Sequence, residues 1–168
     1  MWFVFIWNFF LFFRKYRKNE FNAKQWKFML KLRILSVGKT KEKWLEDAFN
    51  EYQKRLKANL QIECLWAKDS YQLLEWTQKD SLIICLDPTG RLLTSEAFAT
   101  FFSKCWEQGG SRLTIVIGGA EGLPLELKQH SILISLSLLT FTHQITRLIL
   151  IEQIYRATEI LKNSQYHK

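Results

Sequence analysis

The chain has 168 residues, with 24 Lys and Arg against 16 Asp and Glu for a formal net charge of +8, and it is 48% hydrophobic and 15% aromatic. That length supports one domain with a real core, and the composition excludes a disordered chain, a collagen and a disulfide-built miniprotein. Cys64, Cys85 and Cys105 form no Cys-x-x-Cys pair, which excludes a zinc ribbon and a dithiol redox motif.

Residues 1–28 differ from the rest. They carry six cations against Glu20 alone, five of the chain's eight net charges, and 12 of its 25 aromatic residues. The apolar run from Trp2 to Phe13 spans about 18 Å as a helix, short of a bilayer core of about 30 Å. Its basic cluster comes after the apolar run instead of before it, which argues against a secretory signal. Three readings stay open: an interfacial anchor on anionic lipid, a retained leader, or sequence upstream of a domain that starts at Met29. The third agrees best with the regular strand and helix pattern from residue 31 onward, and a domain over residues 29–168 is expected.

Residues 31–37 (KLRILSV) alternate polar and apolar up to Gly38 and predict a strand. Helical spacing of Trp44, Leu45, Ala48, Phe49, Tyr52 and Leu56 predicts an amphipathic helix over 41–58. A strand over 61–66 is next, then a short helix over 69–79 capped by Asp69 or Ser70. The continuous apolar run 82–86 (LIICL) reads as a strand buried on both faces, stopped by the turn Asp87-Pro88-Thr89-Gly90. Thr94 opens a helix to Trp106. A second fully apolar strand, 113–117 (LTIVI), ends in Gly118-Gly119-Ala120-Glu121-Gly122. A short helix from Pro124, a fifth strand near 132–136 and a long apolar helix over 144–161 complete the order. Alternating units with buried strands predict an α/β domain around a parallel sheet. Its ligand site is expected at the carboxyl ends of the strands, in the loops after Leu86, after Ile117 and around 136–141. The glycine loop is neither a Walker loop nor a dinucleotide fingerprint, and on its own reads as a tight turn.

Four segments together resemble one family. The stretches 117–123 (IGGAEGL), 136–144 (LSLLTFTHQ), 147–157 (RLILIEQIYRA) and the terminal Tyr166-His167-Lys168 are similar to signatures of the RlmH methyltransferases. The stretch 31–39 (KLRILSVGK) resembles the family's amino terminus, whose start would fall near Met29, so the resemblance covers essentially all of 29–168. It implies a SPOUT-class α/β fold with a carboxyl-terminal trefoil knot, a cytoplasmic homodimer, and no metal. The implied reaction is methylation, by S-adenosylmethionine, of N3 of a pseudouridine in a large-subunit (23S) ribosomal RNA hairpin. The family's cofactor contacts fall on Leu86, Gly118, Gly119, Leu136, Ser137, Leu138, Leu139, Thr140 and Phe141, although the apolar members would also serve as ordinary core. The family's usual Pro before the motif His is Thr142 here, and the segment 67–81 is short for the family.

Methyl transfer is a direct displacement, so the protein must align two reactants and exclude water rather than supply a nucleophile. A cation near the acceptor nitrogen favours its anion, and a neutral His takes its proton. The candidates are Arg156, Tyr166 and His167, then His143. Each has a plainer reading: His143 as a helix-start residue, Arg156 as an i,i+4 partner of Glu152, and Tyr166 and His167 as part of a disordered polar tail. Ile145, Leu148, Ile149, Leu150, Ile151, Ile154, Ile160 and Leu161 leave the last helix apolar on most sides, which makes it central core or an interface. The competing functional readings are a non-catalytic RNA- or nucleotide-binding α/β module and a membrane-peripheral protein directed by residues 1–28. Without those residues the domain carries only three net positive charges, so attraction to RNA must come from where Lys and Arg cluster.

Overall fold

The runs of alternating and continuous apolar residues pair into a five-stranded, all-parallel sheet whose order is residues 60–67, 30–37, 112–117, 83–92 and 132–135. The computed structural model describes residues 30–109 and 112–167, and the readings placed on residues 1–28 lie outside the described residues. The strands are β1 (Leu30–Val37), β2 (Leu60–Ala67), β3 (Ile83–Leu92), β4 (Arg112–Ile117) and β5 (Ile132–Ser135). The helices are α1 (Lys43–Leu56), α2 (Ser70–Thr77), α3 (Ser95–Gly109), α4 (Leu125–Gln129) and α5 (His143–Leu161), followed by a 3-10 turn, Gln165–His167.

Period-two side chains send alternate strand residues to opposite faces, and each face is roofed separately. Leu32, Ile34, Ile84, Leu113, Ile115 and Ile134 pack with Phe49 and Leu56 of α1, Phe98, Phe102 and Trp106 of α3, and Leu150, Ile151 and Ile154 of α5. On the opposite face Leu35, Cys85 and Val116 pack with Leu73 of α2 and Leu127 of α4. The central strands are therefore apolar on both sides, as their sequences demanded. Cys85 and Cys105 are buried and Cys64 is half-buried, and burial pushes the Cys64 thiol up to about 12 and the other two up to about 11. They act as small apolar side chains. In the amino-terminal half of the sheet, Asp80 joins the layers: it pairs with Arg33 at 2.9 Å and accepts from Thr114 Oγ1 at 2.8 Å.

Three expectations shift. The helix expected over 41–58 is shorter, because residues 38–42 form a loop pinned from below. Asp69, not Ser70, caps α2, accepting from the Gln72 N–H at 2.9 Å. The third strand does not end at Leu86. Leu86 and Arg91 are both in register with Ile134, so Asp87 to Gly90 are looped out and the chain returns to pair along β5. Gly90 is required there, since a Cβ would lie 2.5 Å from the Ile134 carbonyl carbon. No helix among the described residues is long and apolar enough to cross a membrane.

Candidate active site

The carboxyl ends of β3, β4 and β5 open into a cleft of about 620 Å³. Leu86, just before the looped-out segment of β3, lines it, as do Gly118 and Gly119 after β4 and Leu136, Ser137, Leu139, Thr140 and Phe141 after β5. These are eight of the nine residues expected to hold a cofactor. The ninth, Leu138, is 88% exposed and does not line the cleft. As core candidates Leu138 and Leu139 fail. Leu139 lines the cleft yet is 74% exposed, an apolar wall whose burial by a ligand would contribute about 1.5–3 kcal/mol.

Local hydrogen bonds shape both walls. The glycine loop turns back on itself through the Gly122 N–H, which donates to the Gly119 carbonyl at 3.0 Å, with Gly122 at φ +77°. A Cβ on Gly118 would come within 2.7 Å of the Gly122 carbonyl carbon, so only glycine permits this tight approach. After β5, Ser135 Oγ donates to the Ser137 carbonyl at 2.8 Å and Ser137 Oγ accepts from the Leu139 N–H at 3.0 Å. Thr142 does what the usual Pro cannot: its hydroxyl accepts from the Ile145 N–H and caps α5.

His143 is the first residue of α5 and lines the cleft. Burial, and then the charge of Arg147 one turn on, hold its imidazole below the ordinary value, which favours the neutral ring. Asp87 also lines the cleft, with its carboxylate taking Lys128 Nζ at 2.7 Å and Thr89 Oγ1 at 2.6 Å. Burial works to raise this carboxyl, but the donated hydrogen bonds outweigh it and hold it low.

The other three expected catalytic residues lie elsewhere. Arg156 is thirteen positions along α5 from His143, about 20 Å at 1.5 Å per residue. There Glu152 acts as a hub: it takes Arg156 Nη2 at 2.6 Å and the Tyr166 hydroxyl at 3.3 Å, while the guanidinium sits 5.0 Å from the Tyr166 ring centre. Tyr166 meets Tyr155 edge-on at 4.8 Å, and His167 Nε2 lies 2.7 Å from Glu96 of α3, which lowers that carboxyl to about 2. The tail is therefore ordered against α3 and α5 rather than loose. Within one chain the candidates separate: His143 lies at the cleft, Arg156 and Tyr166 gather at Glu152, and His167 meets Glu96 of α3.

Sequence reasoning passed over Arg147. It is 1% exposed, and among the described residues no carboxylate pairs with it. Its donors go to Ser36 Oγ at 2.9 Å, Thr40 Oγ1 at 3.0 Å, the Val37 carbonyl at 2.6 Å and the Gly38 carbonyl, with its guanidinium 4.5 Å from the Trp66 ring centre. Burial pulls its pKa down to about 10, still charged at neutral pH. The signal was present: one cation among Ile145, Leu148, Ile149, Leu150 and Ile151 has to be satisfied by something. Among the described residues no group of three His, Cys, Asp or Glu is placed to hold a metal ion.

A parallel α/β sheet with a glycine-walled, partly apolar cleft at its carboxyl edge defines the class of open α/β folds whose ligands bind at that edge. The family described as predicted SPOUT methyltransferases matches residues 30–167. A protein of Protochlamydia amoebophila (strain UWE25) named ribosomal RNA large subunit methyltransferase H is 99% identical over 140 residues, covering 83% of this chain and all of the relative. Proteins of the same name from Halothermothrix orenii and Geobacter sulfurreducens are each 38% identical, over 83% and 82% of this chain and 100% and 99% of their own lengths. The chain belongs to the RlmH family of SPOUT methyltransferases.

Proposed function

We propose that the protein methylates large-subunit ribosomal RNA, taking the methyl group from S-adenosylmethionine and placing it on N3 of a pseudouridine, as a cytoplasmic homodimer with a carboxyl-terminal trefoil knot. The observation that carries this reading is the lining of the cleft, where eight of the nine residues expected to hold the cofactor meet around one opening. The donor set suits that cofactor. Leu136, Leu139 and Phe141 offer apolar surface for a flat base, and the backbone of the glycine loop offers polar groups at its edge. Gly118 keeps the wall close to Gly122, where a Cβ would intrude. When bound, the cofactor supplies an electrophilic methyl group on a positively charged sulfur.

The protein's own work is to hold, to neutralise and to keep dry. The weakly acidic N3–H of the substrate must lose its proton before the nitrogen attacks. His143, held neutral at the cleft, is suited to accept a proton there. Arg156 brings a permanent cation to favour the anion, and Tyr166 brings a ring on which a base stacks. Because Arg156 lies about 20 Å along the helix from His143, and Tyr166 and His167 pack on Glu152 and Glu96 rather than in the cleft, the three serve the cleft of a second subunit. The half-buried apolar residues of α5, such as Leu148 and Ile160, support an interface there.

The test is transfer of labelled methyl groups to ribosomes that carry the pseudouridine but lack its N3 methyl group. Transfer to those ribosomes, and none to ribosomes already methylated, is the expected result. Cofactor binding without transfer would leave the protein a non-catalytic binding module and overturn the reading. A clean monomer in gel filtration at micromolar concentration would overturn the shared site.

A further inference from the structure

The face of the sheet's carboxyl edge beside the cleft carries cations that the cofactor site does not use. Val37 and Ala67 are register partners at the ends of β1 and β2, so the loops beyond them leave the sheet side by side. These loops and the helix starts they lead into carry Lys39, Lys41, Lys43 and Lys68, all exposed. Trp44 is 60% exposed and Tyr71 is 78% exposed, at the starts of α1 and α2. Those two helices pack on opposite faces of the sheet, so the two open aromatics flank the lysine edge from either side. Of the acids among them, Asp69 is engaged in capping α2, while Glu42 and Glu46 are exposed beside the lysines.

These loops are held, not loose. Arg147 ties Ser36, Val37, Gly38 and Thr40 from beneath. Gln144 takes the Lys41 N–H at 3.0 Å, Gln72 takes the Lys68 N–H at 2.9 Å, and the Gly38 N–H donates to the Ala67 carbonyl at 2.8 Å. The platform also begins at the cleft wall, since a Cβ on Gly38 would lie 3.6 Å from His143 Nε2. A chain that enters the cleft from this side meets lysines carried on a held backbone along one edge, with aromatic faces open beside them. Ordering the loops in advance removes an entropic cost from binding.

We infer that this β1–β2 edge is the surface on which the RNA substrate docks, its phosphates on Lys39, Lys41, Lys43 and Lys68 and unpaired bases on Trp44 and Tyr71. The inference rests on the function proposed above and adds where the substrate lies. Charge complementarity selects RNA: a mildly basic domain gathers four lysines beside its cleft, interleaved with open rings, as single-strand binding surfaces do.

The experiment compares the full chain with the combined variant Lys39→Ala, Lys41→Ala, Lys43→Ala, Lys68→Ala and, separately, with Trp44→Ala, Tyr71→Ala. Methyl transfer to ribosomes is measured against potassium chloride concentration, with S-adenosylmethionine affinity and thermal melting measured beside it. The lysine variant is expected to raise KM more than tenfold at low salt and to flatten the slope of log KM against log salt by about 2–3, at about 0.7 for each phosphate no longer neutralised. The aromatic variant is expected to raise KM about tenfold with the slope unchanged. Cofactor affinity and melting temperature should stay as in the parent, because all six side chains are exposed. Unchanged KM and slope in both variants, with the parent active, would overturn the inference while leaving the enzyme reading intact. A changed elution mass with unchanged KM would assign the face to a second copy of the chain, and lost binding to anionic vesicles with unchanged KM would assign it to lipid. A parent that transfers no methyl group would overturn the function beneath it.

Discussion

Replacing Gly118 with alanine separates two reasons for glycine in one loop. A Cβ at Gly118 would lie 2.7 Å from the Gly122 carbonyl carbon and 2.8 Å from its oxygen. Those atoms are backbone, so the turn closed by Gly122 N–H to the Gly119 carbonyl must open. Overpacking of this kind costs about 1–3 kcal/mol. The displaced atoms line the cleft, so on the proposed function affinity for S-adenosylmethionine should fall roughly tenfold to a hundredfold, at about 1.4 kcal/mol per factor of ten. Gly122 differs: nothing lies within 4 Å of a Cβ there, but φ is +77°. Gly122→Ala should therefore cost about 1–2 kcal/mol of strain. Gly122→Asn should recover much of that loss, because asparagine tolerates the left-handed region. Gly118→Asn should recover nothing. Isothermal titration with S-adenosylmethionine, beside urea melts, measures all four variants. Parental affinity in Gly118→Ala, or better binding by Gly118→Asn than by Gly118→Ala, would refute the steric argument.

Other outcomes follow from the same geometry. Arg147→Met leaves the Val37 and Gly38 carbonyls without their donor and should destabilise the fold by about 2–4 kcal/mol in urea melts. It should also move the His143 titration, followed by NMR, up toward the ordinary histidine value. Because the folded His143 pKa is lowered, the unfolded chain binds more protons below about pH 6.5, so stability should fall as pH drops through that value. That part of the decline should vanish in His143→Gln. Glu152→Gln weakens the hub of Arg156 and Tyr166 and should lower kcat/KM for methyl transfer about tenfold or more, with S-adenosylmethionine affinity unchanged in titration calorimetry. Glu96→Gln should speed amide exchange of residues 165–167 while leaving the melting temperature as it was.

The fold was legible where burial writes a local pattern. LTIVI and LIICL carry no polar residue beyond Thr114, which is paired to Asp80, and both lie in the middle of the sheet. What was not legible depends on distant partners. Asp87-Pro88-Thr89-Gly90 announces a turn, but the return of Arg91 and Leu92 into strand geometry is set by Ile134 and Ser135, more than forty positions on. The apolar residues after β5 illustrate the same limit at the site. Hydrophobicity marks Leu136, Leu138 and Leu139 alike, yet only their surroundings decide that Leu138 and Leu139 stay open. The family resemblance pointed to the segments around the cleft, while periodicity alone would have counted them as core. Arg147 escaped because its partners are two hydroxyls and two carbonyls of β1 and the loop beyond, over a hundred positions away.

The place of β5 has a consequence for how the protein is made. Among the described strands it pairs with β3 alone, and it is the last of them in chain order. Until it arrives, Ile84 to Leu86 present an open, apolar edge with unpaired backbone groups, a surface that invites pairing with a foreign strand. The cleft is then also missing the wall that Leu136, Ser137, Leu139, Thr140 and Phe141 supply. The stretch from β5 onward therefore closes the sheet edge and completes the cleft together.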